Sequence, residues 1–421
     1  MEMKQTNDDN NILLKRLLLS LVILLFIRLG TFLPVPGINH GHLAFYIQQH
    51  PVTKSLVSTF SGNDTFVIGL FTLNIFPYIN ASIIIQLLVS LFPSISKLQK
   101  EGGTEGQRKI TRLTRAITLG WAIIQSLSIA FYLKRALFDW NIGLAIEIVI
   151  WLTTGAMIVL WLSELITEYG LGNGASLLIY TNIVSSLPNL SKKLITENSE
   201  QLTSQSWLVI GLLFFVAIYG IVLLQEGARI VPLISSKQLT QLPSKYSTLP
   251  ENNYIPLRFN QAGVMPIILT TAVLVLPNYI SNLGLLPLIT LPVFLKSSKI
   301  LYWVSYFVLI LTFSSFYSTI VLNPKDISDQ LQKMAVSIPG IRPGVATTFY
   351  LKQIMKRVTF LGAIMLAMLA TLPNIIEALL HISSFNGLGT TSLLILVGVI
   401  LDITREIRSI LLTNIYNDMF D

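Results

Sequence analysis

The sequence predicts an all-α polytopic membrane protein, with ten transmembrane helices in two inverted five-helix halves. Three observations carry this. The chain is 52% hydrophobic and 12% charged, with mean hydropathy +0.66, whereas roughly a quarter of a soluble domain is charged. Its apolar runs are about 20 residues long, enough for a helix to cross a bilayer, and lack the alternating ten-residue pattern of a barrel. Basic residues also fall on alternate loops. With the N-terminus on the cytoplasmic side, 21 of the 29 lysines and arginines lie on that side, as the positive-inside bias expects.

Met1 to Asn11 is polar and reads as neither a signal nor a transit peptide. The run that follows Lys15-Arg16 is too long for a signal core. The ten apolar segments cover about 17–35, 74–92, 116–133, 144–164, 174–189, 206–225, 261–281, 300–322, 358–378 and 390–411. A shorter run from Leu56 to Leu73 is broken by Ser61-Gly62-Asn63-Asp64. It cannot span, and it reads as a re-entrant piece tolerable only inside protein.

The second segment is dotted with Asn80, Ala81, Ser82, Gln86 and Ser90. A helix facing only lipid would leave Asn and Gln unsatisfied, so one face must meet protein or water. Ile79 and Ile83 share a face of it. A basic loop follows, with Lys97, Lys100, Arg108, Lys109, Arg112 and Arg115. A polar-dotted membrane helix beside a cationic loop suggests a passage fed from the basic side.

Residues 190–205 read as a hinge loop, dividing a half at 1–189 from a half at 206–421. Five spans in each half make the halves inverted repeats, which place a path at their interface. Gly170 to Ile179 and Gly387 to Ile395 open the fifth and tenth segments with similar sequence. Two large loops on the basic side, Glu226 to Asn260 and Asn323 to Lys356, form the expected docking surface. In the second, Pro339-Gly-Ile-Arg-Pro-Gly344 frames Arg342 between two Pro-Gly pairs. Proline fixes φ and glycine permits the turn, so one guanidinium is held on a stiff tip, as a partner's carboxylate or backbone would require.

Other chemistries find little support. The chain has no cysteine, which excludes disulfides and thiolate sites. Gly170-Leu-Gly-Asn-Gly-Ala175 follows no strand and reads as a helix-opening turn, not a nucleotide loop. His40, His42 and His50 share one loop without a fourth ligand. No catalytic set, cofactor or metal site is expected. Arg28, Glu147, Glu164 and Asp402 fall within spans but mostly near their ends. A coupled transporter would cluster such groups at the midplane. A ten-span secondary transporter and an intramembrane enzyme remain the alternative classes.

Several motifs stand out together: Leu33-Pro-Val-Pro-Gly-Ile38, Phe60-Ser-Gly62, Pro77 to Leu87, Gln107-Arg-Lys-Ile110 and Gly172-Asn-Gly174. They continue through Ala262-Gly-Val-Met-Pro266, Asn323-Pro324, Pro339 to Gly344 and Thr391-Ser-Leu-Leu-Ile395. On these motifs the sequence, over about residues 11 to 412, resembles the SecY / Sec61-alpha family, the channel subunit of the general protein translocase. It implies a clamshell with an hourglass pore, narrowed by a ring that here comprises Ile79, Ile83, Ala175, Ile179, Ile268 and Ile395. Ala175 is smaller than the family's usual ring residue. A plug at about 57–71 includes Phe60, Ser61, Gly62, Asn63 and Asp64, with Asn63 and Asp64 where small uncharged residues are usual. Spans two, seven and eight would form a lateral gate.

The docking residues implied are Arg342, Arg229, Lys325, Arg108 and Lys109. Arg229 stands where the family tends to an arginine pair, which weakens the case for ribosomal RNA contact. The implied partners are SecE-like and SecG-like small membrane subunits, the SecA motor ATPase, a ribosome or the signal-recognition pathway, unfolded precursors with signal sequences, and the lipid bilayer. Composition and the resemblance together suggest a plastid-encoded protein of the thylakoid membrane, with both termini stromal. A bacterial plasma membrane is the alternative.

Overall fold

The computed structural model describes residues 2–36 and 38, 68–92, a few positions between 94 and 98, 103–134, 141–198, 204–235, 254–261, scattered positions from 263 to 270, 299–321, 323–380 and 390–420. Contacts divide the chain into two compact units, residues 1–196 with 399–421, and 197–398.

In the first unit the helices are α1 (Glu2–Gly30), α2 (Phe76–Leu91), α3 (Gly103–Leu133), α4 (Ile142–Tyr169) and α5 (Gly174–Asn198). α2 packs on α3, α3 on α4, and α1 on α4. The core between them holds Val35, Ile68, Leu73, Ala122, Ile148 and Leu152. α2 starts where Asn74, at φ 48°, turns the chain and its Oδ1 accepts from Ile75 N at 2.8 Å. Pro77 occupies the first turn, where its missing N–H leaves no bond unmade. α4 is capped by Asn141, whose Oδ1 accepts from Ile142 N at 2.7 Å.

The stretch before α2 is tied to the end of α1. Val35 N donates to Ile68 O at 3.1 Å, Leu70 N donates to Leu33 O at 2.9 Å, and Pro34 and Gly69 form a bridge. A side chain at Gly69 would collide with the Thr31 carbonyl. The Leu33-Pro-Val-Pro motif therefore has a structural task as the strap that holds the approach to α2.

The second unit contains α6 (Ser204–Glu226), β1 (Ala228–Pro232), β2 (Ile234–Ser235), β3 (Tyr254–Arg258), α7 (Lys299–Val321), α8 (Pro324–Lys333), β4 (Val336–Ser337) and α9 (Val345–Leu380). α10 (Thr390–Phe420) runs through residue 398, so its first part belongs here and its remainder to the first unit. α7 packs on α9, and α9 on α6 and α8.

Among the described residues the fold is all-α apart from two small sheets in the two large loops, which the sequence reading did not anticipate. β1 pairs antiparallel with β3, Arg229 opposite Leu257 and Val231 opposite Ile255, and β2 pairs with β4. α5 also departs from expectation. It stays helical to Asn198, through most of the stretch read as a hinge loop. After Pro188 that stretch has no further proline and no glycine to stop a helix. α9 begins at Val345, well before the apolar run that marks the ninth segment.

Among the described residues, Gly103–Phe131, Ile142–Tyr169 and Val345–Leu372 are long and apolar enough to cross a membrane, and Phe76–Val89, Phe214–Glu226 and Trp303–Ser318 are shorter apolar helices. Most of the seventh predicted segment lies outside the described residues.

Candidate functional site

Two regions contain the residues singled out above. The first is in the 1–196 unit. Ile79 and Ile83, one turn apart on α2, are buried at 8% and 7% exposure. Ala175 and Ile179 occupy the first turns of α5 and are half-buried. Ile395 belongs to the 197–398 unit, on the first part of α10, and is half-buried. Ile268 and the plug residues Phe60, Ser61, Gly62, Asn63 and Asp64 lie outside the described residues, as do His40, His42 and His50.

The polar face expected of α2 meets protein. Gln86 Oε1 is buried without a hydrogen-bond partner, and so are Trp121 Nε1 and Gln125 Oε1 on α3. Ser126 and Thr153 share a 3.2 Å hydrogen bond between α3 and α4. Shielded, unsatisfied carbonyls are costly in a static apolar core.

The turn that opens α5 explains its three glycines. Gly172 has φ 82°, a backbone conformation open to glycine. A side chain on Gly174 would strike the Ser163 carbonyl, and one on Gly170 would meet Ser20 Oγ and the Ile166 carbonyl. Thr167 Oγ1 accepts from Gly174 N at 3.0 Å, and Asn173 Oδ1 accepts from Ala175 N at 3.0 Å. The motif is a close-packed helix start, as its sequence context implied.

The second region is the Arg342 tip of the 197–398 unit. Pro339 and Gly340 are the middle residues of a turn closed by Ile341 N donating to Ile338 O at 3.1 Å, with Gly340 at φ 76°. Pro then Gly is the pair a type II turn demands. Gly344 follows at φ 101°. Its carbonyl accepts from Ser328 Oγ of α8 at 2.9 Å, and the Arg342 carbonyl accepts from Thr347 Oγ1 at 2.9 Å. The backbone on both sides of Arg342 is thus fixed while its side chain is exposed.

The tip rests on a small core of Val231, Leu257, Leu331, Ile338, Leu351, Ile354, Met355 and Val358. β1, β3, α8 and the start of α9 contribute one side each, so the two loops form a single body. Arg229 and Lys325 are exposed on it, as are Lys352, Lys356 and Arg357. Arg108 and Lys109 are exposed near the start of α3, in the other unit.

Sequence reasoning missed several partners. Arg115 makes a bidentate pair with Glu164 across α3 and α4. Asp402 accepts from Arg405 Nη1 at 3.3 Å on α10. Arg28 donates to Ser185 of α5 and stands 5.4 Å from the Phe32 ring centre. Ser318 bonds Thr359 at 2.7 Å and Gln261 Oε1 at 3.0 Å. Spacing could reveal only the Asp402–Arg405 pair, three apart on one helix.

A family profile described as SecY matches residues 69–404. A protein translocase subunit SecY of Trieres chinensis is 75% identical over the full length of both chains (100% of each). The protein of the same description from Guillardia theta is 46% identical over 95% of each chain. That from Synechococcus elongatus is 42% identical over 96% of this chain and 93% of its own. Among solved structures, one concerned with the plug domain of the SecY protein superposes with TM-score 0.67 at 17% identity, covering 96% of this chain and 93% of the other. A Sec61 channel from a canine ribosome–channel complex superposes with TM-score 0.59 at 16% identity, covering 96% and 93%.

Proposed function

The chain belongs to the SecY family, and from that premise we propose how its residues divide the work. It is the protein-conducting channel subunit of a protein translocase, passing unfolded polypeptide across a membrane. The observation that carries this is the full-length match at 75% identity to a translocase SecY subunit.

In this reading Ile79, Ile83, Ala175, Ile179, Ile268 and Ile395 surround the narrowest point. A tight apolar constriction dewets, which blocks ions, yet it presents no polar group that would select among passing side chains. The segment around Phe60 to Asp64 seals it at rest. Apolar segments leave sideways into lipid between spans two, seven and eight. Energy comes from partners: a SecA-type motor or a ribosome fed by the signal-recognition pathway docks on Arg342, Arg229, Lys325, Arg108 and Lys109. The solved relative in a ribosome–channel complex supports a ribosome-facing surface. SecE-like and SecG-like subunits complete the channel. The membrane is the thylakoid, with both termini stromal, in keeping with the plastid and cyanobacterial sources of the relatives.

The transporter alternative loses ground to the ion pairs. Glu164 and Asp402 each pair with an arginine, an arrangement that makes these two carboxylates poor candidates for coupling an ion. The deciding experiment traps a precursor in transit, with photo-crosslinkers at Ile83 and Ile268. Crosslinks at both positions are expected. Crosslinks at neither, with the precursor trapped, would remove these residues from the path.

A further inference from the structure

α1 is linked to α5 and to the turn that opens it by two side-chain hydrogen bonds. Ser20, at 6% exposure, donates through Oγ to the Arg16 carbonyl at 2.9 Å, and the same oxygen accepts from Leu171 N at 2.9 Å. Leu171 belongs to the turn that opens α5 and is itself buried at 4% exposure. Two turns further along α1, Arg28 donates to Ser185, which lies eleven residues into α5. The bonds therefore tie two points of α1 to the turn that opens α5 and to one position within α5.

The turn is held from a third side. Ile403 and Glu406 of α10 lie against Gly172, so that a Cβ there would sit 3.6 Å from Ile403 Cγ1 and 3.7 Å from Glu406 Oε2. These are ordinary van der Waals distances, and it is the φ of 82° at Gly172 that admits few other residues. Ala175 and Ile179 begin immediately after this turn. A helix can slide or rotate about its axis at low cost when apolar contacts alone hold it. Polar bonds in an apolar setting resist this, because a broken one leaves a shielded donor without a partner.

We propose that Ser20 and Arg28 are positioning residues that fix the register of α5 against α1, and thereby hold Ala175 and Ile179 at the channel waist. This rests on the waist assignment above. It gives Arg28, a cation within a span, a task beyond reaching the membrane surface. Its guanidinium bridges to α5 while the Phe32 ring shields it.

The test uses the full chain in its complex, reconstituted in vesicles. The chain has no cysteine, so Leu21→Cys and Val184→Cys, both at exposed positions, take a pair of spin labels that report α1–α5 register directly. Ser20→Ala and Arg28→Met should broaden or shift the label distance at unchanged abundance. They should also raise resting ion leak and passage of a signal-defective precursor by roughly tenfold, the equivalent of about 1.4 kcal/mol in a closed-to-open balance. Arg28→Lys, which keeps a donor for Ser185, should largely restore both. An unchanged label distance in both variants overturns the proposal. A broadened distance with a tight channel overturns it too, if Ile395→Asn leaks in the same assay. If Ile395→Asn is also tight, the waist assignment fails and the register role stands alone.

Discussion

Arg115 and Glu164 lie 49 residues apart and meet through two parallel hydrogen bonds, Nε to Oε1 at 2.9 Å and Nη2 to Oε2 at 2.8 Å. The pair joins α3 to α4 just where the basic stretch of α3 gives way to its apolar run. Half of the Arg115 side chain is exposed, so screening keeps its worth small, of order 0.5–1 kcal/mol despite the good geometry. Arg115→Ala and Glu164→Ala should each lower the unfolding midpoint in detergent slightly. The double variant should cost no more than the larger single one. Additive losses would show that the residues act separately.

Gly362 tests the packing of the second unit. A Cβ there would come within 2.1 Å of the Phe259 carbonyl oxygen, which is backbone and cannot swing aside. Phe259 is held in turn by its N–H donating to Gly227 O at 2.9 Å. Overpacking of this kind costs about 1–3 kcal/mol. Gly362→Ala should therefore reduce stability or abundance, while Gly211→Ala, where a Cβ meets nothing, should be neutral or mildly stabilising. Equal stability of the two variants in a thermal scan would contradict the close approach of α9 and Phe259.

The all-α membrane class was legible in the sequence, because bilayer thickness imposes a length on every span, whereas helix ends such as those of α5 and α9 were not. The turn geometry around Arg342 was legible for a local reason. Pro339, Gly340, Pro343 and Gly344 dictate the turn from their own backbones, without help from distant residues. What escaped notice depends on partners far away in sequence. Nothing in Ala228–Pro232 announces that it pairs with Tyr254–Arg258, since strands this short show too few alternations to register. The amphipathic start of α9 was invisible to hydropathy for a similar reason. Leu351, Ile354, Met355 and Val358 face the small core while Lys352, Lys356 and Arg357 face water, so the average is polar. Nothing near Ser20 or Arg28 in the chain points to Leu171 and Ser185, which only the fold brings to them.

Loop charge makes a prediction about topology. Reporter tags inserted at Gly102-Gly103 and after Lys237 should lie on the same side as both termini, and a tag at Lys193 on the other. A Lys193 tag accessible from the side of the N-terminus would break the ten-span arrangement.

Ile395 is half-buried on α10, and the waist assignment predicts its effect. Ile395→Asn brings a hydrogen-bonding group into an apolar ring, which should favour water there and weaken the closed state. Signal-defective precursors should then cross, and resting ion leak should rise, with abundance unchanged. Wild-type behaviour in both assays would place Ile395 away from the waist.

Arg342 separates docking from folding. Its backbone is fixed by Pro339, Gly340, Pro343 and Gly344, by Thr347 Oγ1 donating to its own carbonyl, and by Ser328 Oγ donating to the Gly344 carbonyl, whereas its side chain is exposed. Substitution at such a site should change stability by less than about 0.5 kcal/mol. In a docked complex a charge-assisted bond is worth roughly 1.5–3 kcal/mol, and reversing the charge adds repulsion. Arg342→Glu should therefore insert and assemble normally yet fail to couple to its motor or ribosome. Arg342→Lys should be partly active, since an ammonium cannot reproduce the planar fork. The comparison is precursor translocation in reconstituted vesicles against membrane abundance of the variant. Loss of abundance would mark the residue as structural. Full translocation by Arg342→Glu would remove it from the docking surface and leave the stiffness of the Pro-Gly frame without a purpose.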